Sequence, residues 1–398
     1  MYSYITFLKK NSSLILVISI LFFVTTIFFG VDFTDSFHHL SYAKSHSGDE
    51  INVLIVLSVY LVKFFMFLSD YVIFYRLINI IIIISTFLIP VFVLKKEDKD
   101  LKKLLVAFLL VMFSPFIWNI LGWDTFSAFF IVLTYVIFYK FYFTAGSNKR
   151  LIYMLSVLTA FSILCRFPNI LIIFILSFGI YFKEDLNLKT KINYIFRYLL
   201  LVGLIIVLFY YLNYGSFESL FESNIINESY GLDKLLYNYM NDFIFIILYA
   251  IIISSVLFFL KIRHQFLNQK IFVIFSIILF SIFYLFGKFF LFDDYSFALS
   301  LFYTAFCLVV TLISSVDLFL KKNNIELLEK QKHYGQTLNK IKRTGSKINM
   351  FLFSKEFVFF LVTVSFFFIN SMGSNMGLFR SIYGLPILFL LFFTLNEE

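Results

Sequence analysis

The chain has 398 residues, 61% of them hydrophobic and only 14% charged, with 60 Phe and 25 Tyr. Soluble domains carry about 25% charged and about 45–50% apolar residues, so a single water-surrounded core is excluded as the place for this much apolar surface. The formal net charge of +9 does not describe a nucleic-acid surface. Its basic residues gather in short segments between apolar runs, as cytoplasmic loops of membrane proteins do.

Those runs are roughly 17–25 residues long, enough to cross ~30 Å of hydrocarbon as helices. They lack the alternation of a barrel strand. The expected fold class is an all-α integral membrane protein, one polytopic domain over 1–398 with about twelve transmembrane helices and both termini inside.

In chain order, Leu14 to Gly30 has no small-x-small cleavage site and reads as a first span rather than a signal peptide. It opens a first external loop, 31–70, the expected catalytic loop. There Val53 to Leu68 is apolar but interrupted by Lys63 and closed by Asp70. A helix lying at the outer interface fits it better than a further span, which would put Lys95 to Lys103 outside. Span two, Tyr71 to Leu94, returns inside. Spans three and four, Leu104 to Leu121 and Thr125 to Phe143, turn outside at Gly122-Trp123-Asp124. Leu151 to Leu164 then rises to Arg166-Phe167-Pro168-Asn169, and Ile170 to Phe182 descends. Were these two short spans one tilted helix, everything downstream would invert. Span seven, Tyr198 to Tyr214, leads into a second external loop, 215–241. Spans eight to ten (Asp242 to Leu260, Ile271 to Leu291, Phe297 to Val316) precede a basic cytoplasmic loop, 317–356. Phe357 to Asn370 and Leu378 to Leu395 complete the set. This arrangement puts every Lys and Arg inside except Lys44, Lys63, Arg76, Arg166, Lys234, Lys288 and Arg380, a split that the positive-inside rule favours.

The stretch after the first span, Val31-Asp32-Phe33-Thr34-Asp35-Ser36-Phe37-His38-His39-Leu40, is the richest in chemistry. If helical, Asp32 and Asp35 share a face, His39 joins it four residues after Asp35, and His38 lies beside it. A carboxylate at a membrane interface can serve as a general base, and Asp32, Asp35 and His39 also suit a divalent cation. A loop start with helix-capping aspartates would look the same. Asp124, Arg166 and Arg380 fall on the same outer side, and Arg76 and Lys288 sit in apolar sequence near outer span ends. Such cations snorkel, pair or bind a ligand, and guanidinium donors match the oxygens of a lipid phosphate. Cys165 and Cys307 give no disulfide framework. No Walker loop, GxGxxG, HExxH or GxSxG motif occurs, nor any visible internal repeat.

Four places give the chain a resemblance to GT-C-type glycosyltransferases of bacterial polysaccharide gene clusters. They are Gly30-Val31-Asp32-Phe33-Thr34-Asp35, Tyr75-Arg76-Leu77-Ile78-Asn79, Leu164-Cys165-Arg166-Phe167-Pro168-Asn169 and Gly373-Ser374-Asn375-Met376-Gly377-Leu378. The resemblance implies an enzyme of the bacterial inner membrane with its active face outside. It would transfer a sugar, with inversion, from a polyprenyl-phosphate-linked donor to a glycan or lipid-linked acceptor. Asp35 or Asp32 matches the family's acidic loop residue, its catalytic base or metal ligand. Arg166, Arg380, Arg76 and Lys288 would hold the donor phosphate, with Asp124, His38 and His39 in support. The D-x-x-D spacing, where the family has D-x-D or Asp-Glu, leaves open which carboxylate is the base. Two other classes share this topology: a polysaccharide repeat-unit polymerase of the O-antigen or capsule type, and a transporter or flippase. The first usually has its large outer loop in the second half of the chain, and the second predicts charges at mid-membrane and repeat symmetry.

Overall fold

The computed structural model describes residues 35–47, 51–69, 71–94, 121–144, 146, 148–215 and 355–369, with isolated positions at 240, 244, 246, 247 and 387. Expected spans one, three, nine and ten, and most of spans eight and twelve, lie outside these residues. So do most of the second external loop and of the 317–356 loop, and Cys307.

Every described element is helical. In chain order these are α1 (Asp35–Ser45), a 3-10 turn (Val53–Ile55), α2 (Val56–Leu68), α3 (Val72–Leu94), α4 (Trp123–Phe143), α5 (Lys149–Cys165), a second 3-10 turn (Phe167–Ile170), α6 (Leu171–Tyr181), α7 (Leu188–Tyr214) and α8 (Lys355–Ile369). Local chemistry sets their borders. The Asn148 and Asn187 side chains accept from the backbone N–H groups of Arg150 and Thr190, and so start α5 and α7. α7 stops at Gly215, whose left-handed φ of 67° lets its N–H return to the Tyr211 carbonyl. α5 ends where Arg166 turns extended, at φ −159°. Pro168 then bars simple continuation of the helix.

Side-chain contacts give the relative directions. Asn169, opening the α6 segment, bonds Ser127 near the start of α4, while Lys183, just past α6, bonds the carbonyls of Tyr142 and Thr144 at the end of α4. α6 therefore runs alongside α4 in the same direction, and α5 returns against both. α7 follows α5, with Tyr198 on Thr159 and, nearer their ends, Tyr210 packed in one cluster with Leu164. α8 opposes α4: Phe359 packs on Tyr142 and Phe143, and Thr363 bonds Tyr135. α3 starts beside α4, through Asn79 and Thr125. Residues 149–182 are thus an up-and-down pair and not one tilted helix.

Two helix starts differ from the sequence expectation, while Val53 to Leu68 keeps its expected bounds. Trp123 and Asp124 are not a turn but the first residues of α4, capped by extended Gly122. α7 begins at Leu188, ten residues before the apolar stretch at Tyr198, because hydropathy marks the greasy part of a helix and not its polar first turns. The Val53 to Leu68 stretch is a 3-10 turn and then a 13-residue helix, α2, about 20 Å long. α2 lies across one end of the bundle: Ser58 donates to the Cys165 carbonyl at the end of α5, and Phe65 stacks on Phe126 at the start of α4.

Two cores result. One is built from α4 to α8 around Tyr135, Phe138, Phe359 and Phe366, and the other sits under α1 and α2 around Val56, Val59, Val62, Leu164 and Tyr210. Two described helices, Trp123–Phe143 and Leu188–Tyr214, are long and apolar enough to cross a membrane. α4 is largely buried, whereas α7 leaves Leu200, Leu204, Leu208 and Leu212 more than half exposed. A core helix of a soluble protein would hide such a stripe.

Candidate functional site

The starts of α3 and α4 and the junction between α5 and α6 meet at one end of the bundle, and there the polar side chains collect. Arg76, Asn79, Asp124, Thr125, Ser127, Ser162, Arg166 and Asn169 are all buried. So high a density of buried polar groups in an apolar chain requires mutual satisfaction. Thr125 donates to Asn79 Oδ1 at 2.7 Å, tying α3 to α4. Arg76 lies three residues before Asn79, on the same face of α3. Arg166 Nη1 stands 3.7 Å from Asp124 Oδ1. The Asn169 Nδ2 amide donates to Ser127 Oγ at 2.9 Å and to the Ser162 carbonyl at 2.8 Å, with Ser162 Oγ at 3.1 Å.

Asp124 is in the first turn of α4, where a negative charge complements the helix dipole. It also neutralises a guanidinium that would otherwise be costly to bury. Three residues expected at a site, Arg76, Asp124 and Arg166, are thus at one end of the fold, two of them as an ion pair.

Helices α1 and α2 cover this end. Beyond Ser58, the Tyr214 hydroxyl donates to the Ile51 carbonyl at 2.8 Å, fastening the loop to α7. Lys63, which interrupts the apolar run, donates to the His46 carbonyl just past the end of α1. His46 in turn stacks on Tyr42 at 4.0 Å. Burial pushes the Tyr42 phenol up from its ordinary value, against a smaller downward pull from the Asn52 N–H.

α1 begins at Asp35, so Asp35 and His39, four apart, share one of its faces. Their side chains and that of His38 lie outside the described residues, as do Asp32, Lys288 and Arg380. Among the described residues, no three His, Cys, Asp or Glu side chains come together.

Sequence reasoning missed the roles of Ser127 and Ser162, isolated small polar residues in apolar helices, and of Lys183. Lys183, 1% exposed, bonds the Tyr142 and Thr144 carbonyls at 2.9 Å each and Asp185 Oδ2 at 3.2 Å. It therefore closes the C-terminal end of α4 as a cation should. The available signal was its position directly after an apolar helix, two residues before an aspartate. Comparison with protein-family models, with curated proteins and with solved structures finds no match.

Proposed function

We propose that the chain is a polytopic protein of a bacterial inner membrane, with about twelve spans, and a glycosyltransferase active at the outer face. Its donor is a polyprenyl-phosphate-linked sugar and its acceptor a hydroxyl of a glycan or lipid-linked glycan. The observation that carries this reading is the buried Arg166–Asp124 pair, with Arg76 buried on the neighbouring helix, at the end crossed by α2, on which the loop helix that starts at Asp35 packs. Ionisable groups inside an apolar helical protein mark functional sites by default, and guanidinium is the side chain that matches phosphate.

In this mechanism Asp35, or Asp32, takes the proton of the acceptor hydroxyl. The hydroxyl oxygen bonds to the anomeric carbon from the face opposite the phosphate. The carbon–oxygen bond to phosphate breaks, and the phosphate leaves with the electron pair. Arg166, Arg76, Arg380 and Lys288 stabilise its charge, and Asp124 holds Arg166. A lipid-borne donor needs no nucleotide fold.

Mass spectrometry of lipid-linked glycans from cells with and without the protein tests the reading. Loss of one sugar supports transfer. Loss of a ladder of repeats supports a repeat-unit polymerase instead, and unchanged glycans defeat both. Asp35→Asn or Asp32→Asn should cut transfer at least about 100-fold at normal expression, and full activity in both single variants would remove this mechanism.

A further inference from the structure

The buried polar end contains two parallel rungs between the first turns of α4 and the break after α5. Asp124 and Ser127 are three residues apart on α4, and Arg166 and Asn169 are three apart across the break. One rung is charged, Arg166 to Asp124 at 3.7 Å, and the other neutral, Asn169 to Ser127 at 2.9 Å.

The neutral rung also shares an acceptor with the backbone of Arg166. The Ser162 carbonyl accepts both the Arg166 N–H, at 3.1 Å, and the Asn169 side-chain amide, at 2.8 Å. The Asn169 N–H donates to the Arg166 carbonyl at 3.0 Å. A carbonyl can only accept, so the bond to Ser162 sets which way the amide points. Both peptide groups of Arg166 are thereby held within this one segment, and Ser127 pins the segment to α4 one turn from Asp124. Arg166 itself is extended: its N–H closes the last turn of α5, its carbonyl accepts from the 3-10 turn, and the Asn169 side chain adds a bond to the same Ser162 carbonyl.

We infer that Asn169 is a positioning residue: with Ser127 it holds Arg166 where its guanidinium meets a phosphoryl ligand. This rests on the reading of Arg166 as a phosphate ligand. Misplacing a charged group by a fraction of a hydrogen-bond length weakens recognition of phosphate while leaving apolar contacts intact.

The test measures binding of farnesyl phosphate and of farnesol to the full chain in detergent, and takes the ratio of the two Kd values. Asn169→Ala and Ser127→Ala should each lower the preference for the phosphate roughly tenfold, the scale on which orienting partners act. The double variant should lose no more than either alone, because both break one rung. Ser156→Ala, equally buried within α5, should leave the ratio unchanged. A purely structural role would weaken binding of alcohol and phosphate alike, and that outcome overturns the inference. Should Asn169→Ala fail to fold, Ser127→Ala carries the test. Arg166→Gln separates the two claims. If it keeps the wild-type preference, the phosphate reading fails; if it loses it while Asn169→Ala and Ser127→Ala keep it, only the positioning inference fails.

Discussion

The two ends of α4 each bury a cation, by different means. At its C-terminal end the Lys183 ammonium meets two backbone carbonyls, where the helix dipole already favours positive charge, and its carboxylate partner Asp185 is half exposed rather than buried. At its N-terminal end the same dipole opposes a cation, and Arg166 is accompanied by Asp124 in the first turn. Arg76 likewise lies near the start of α3. A cation seated where the backbone wants one needs no other explanation. Arg166 closes α5, but its guanidinium reaches the start of α4, where a cation needs an anion. A site that assembles an anion of its own can also present guanidinium groups to an anionic ligand. The Lys183 end is thus architecture, and the Arg166 end is where recognition would sit.

The contrast can be broken by substitution. The largest effect is expected from Asp124→Asn, which leaves a buried guanidinium without its carboxylate and should cost about 3–5 kcal/mol in denaturation of the detergent-solubilised protein. Replacing the pair together, Asp124→Leu with Arg166→Met, should recover most of that stability yet leave sugar transfer abolished. Recovery of transfer as well would make the pair purely structural. Lys183→Met comes next, at about 2–3 kcal/mol for two exposed-to-nothing carbonyls, with transfer per folded molecule unchanged. A loss of specific activity there would erase the distinction between the ends. The smallest effect tests packing alone. A Cβ at Gly179 would meet the Phe138 ring at 2.6 Å, so Gly179→Ala should cost about 1–2 kcal/mol, relieved by Phe138→Leu.

Much of this was legible in the sequence for identifiable reasons. Apolar runs mark where the helices lie, whereas the starts of α5 and α7 are set by the caps Asn148 and Asn187, in polar sequence ahead of those runs. Arg166 and Asp124 were legible as cation and carboxylate out of place in apolar surroundings. The hairpin of α5 and α6 was not decidable from hydropathy, since helices of 17 and 11 residues are short for spans. It is settled by Asn169 and Lys183 reaching opposite ends of α4. The neutral rung was invisible for another reason. Ser127, Ser162 and Asn169 share no spacing pattern, and they meet only once the break at Arg166 folds against α4.

The two bonds that define the direction of α6 also set a depth. Ser127 and Tyr142 are separated by about fifteen residues of continuous helix, roughly 22 Å along the axis. Hydrocarbon is about 30 Å thick, so in a bilayer the Ser127 rung lies inside it when the Lys183 end is at its edge. With the Lys183 end at one headgroup layer, the Asn169–Ser127 rung sits about 8 Å below the other, and the Arg166–Asp124 pair, a turn further along α4, lies within about 3 Å of it. α2, lying across that end, would form the rim that a ligand approaching the Arg166–Asp124 pair from the surface must pass.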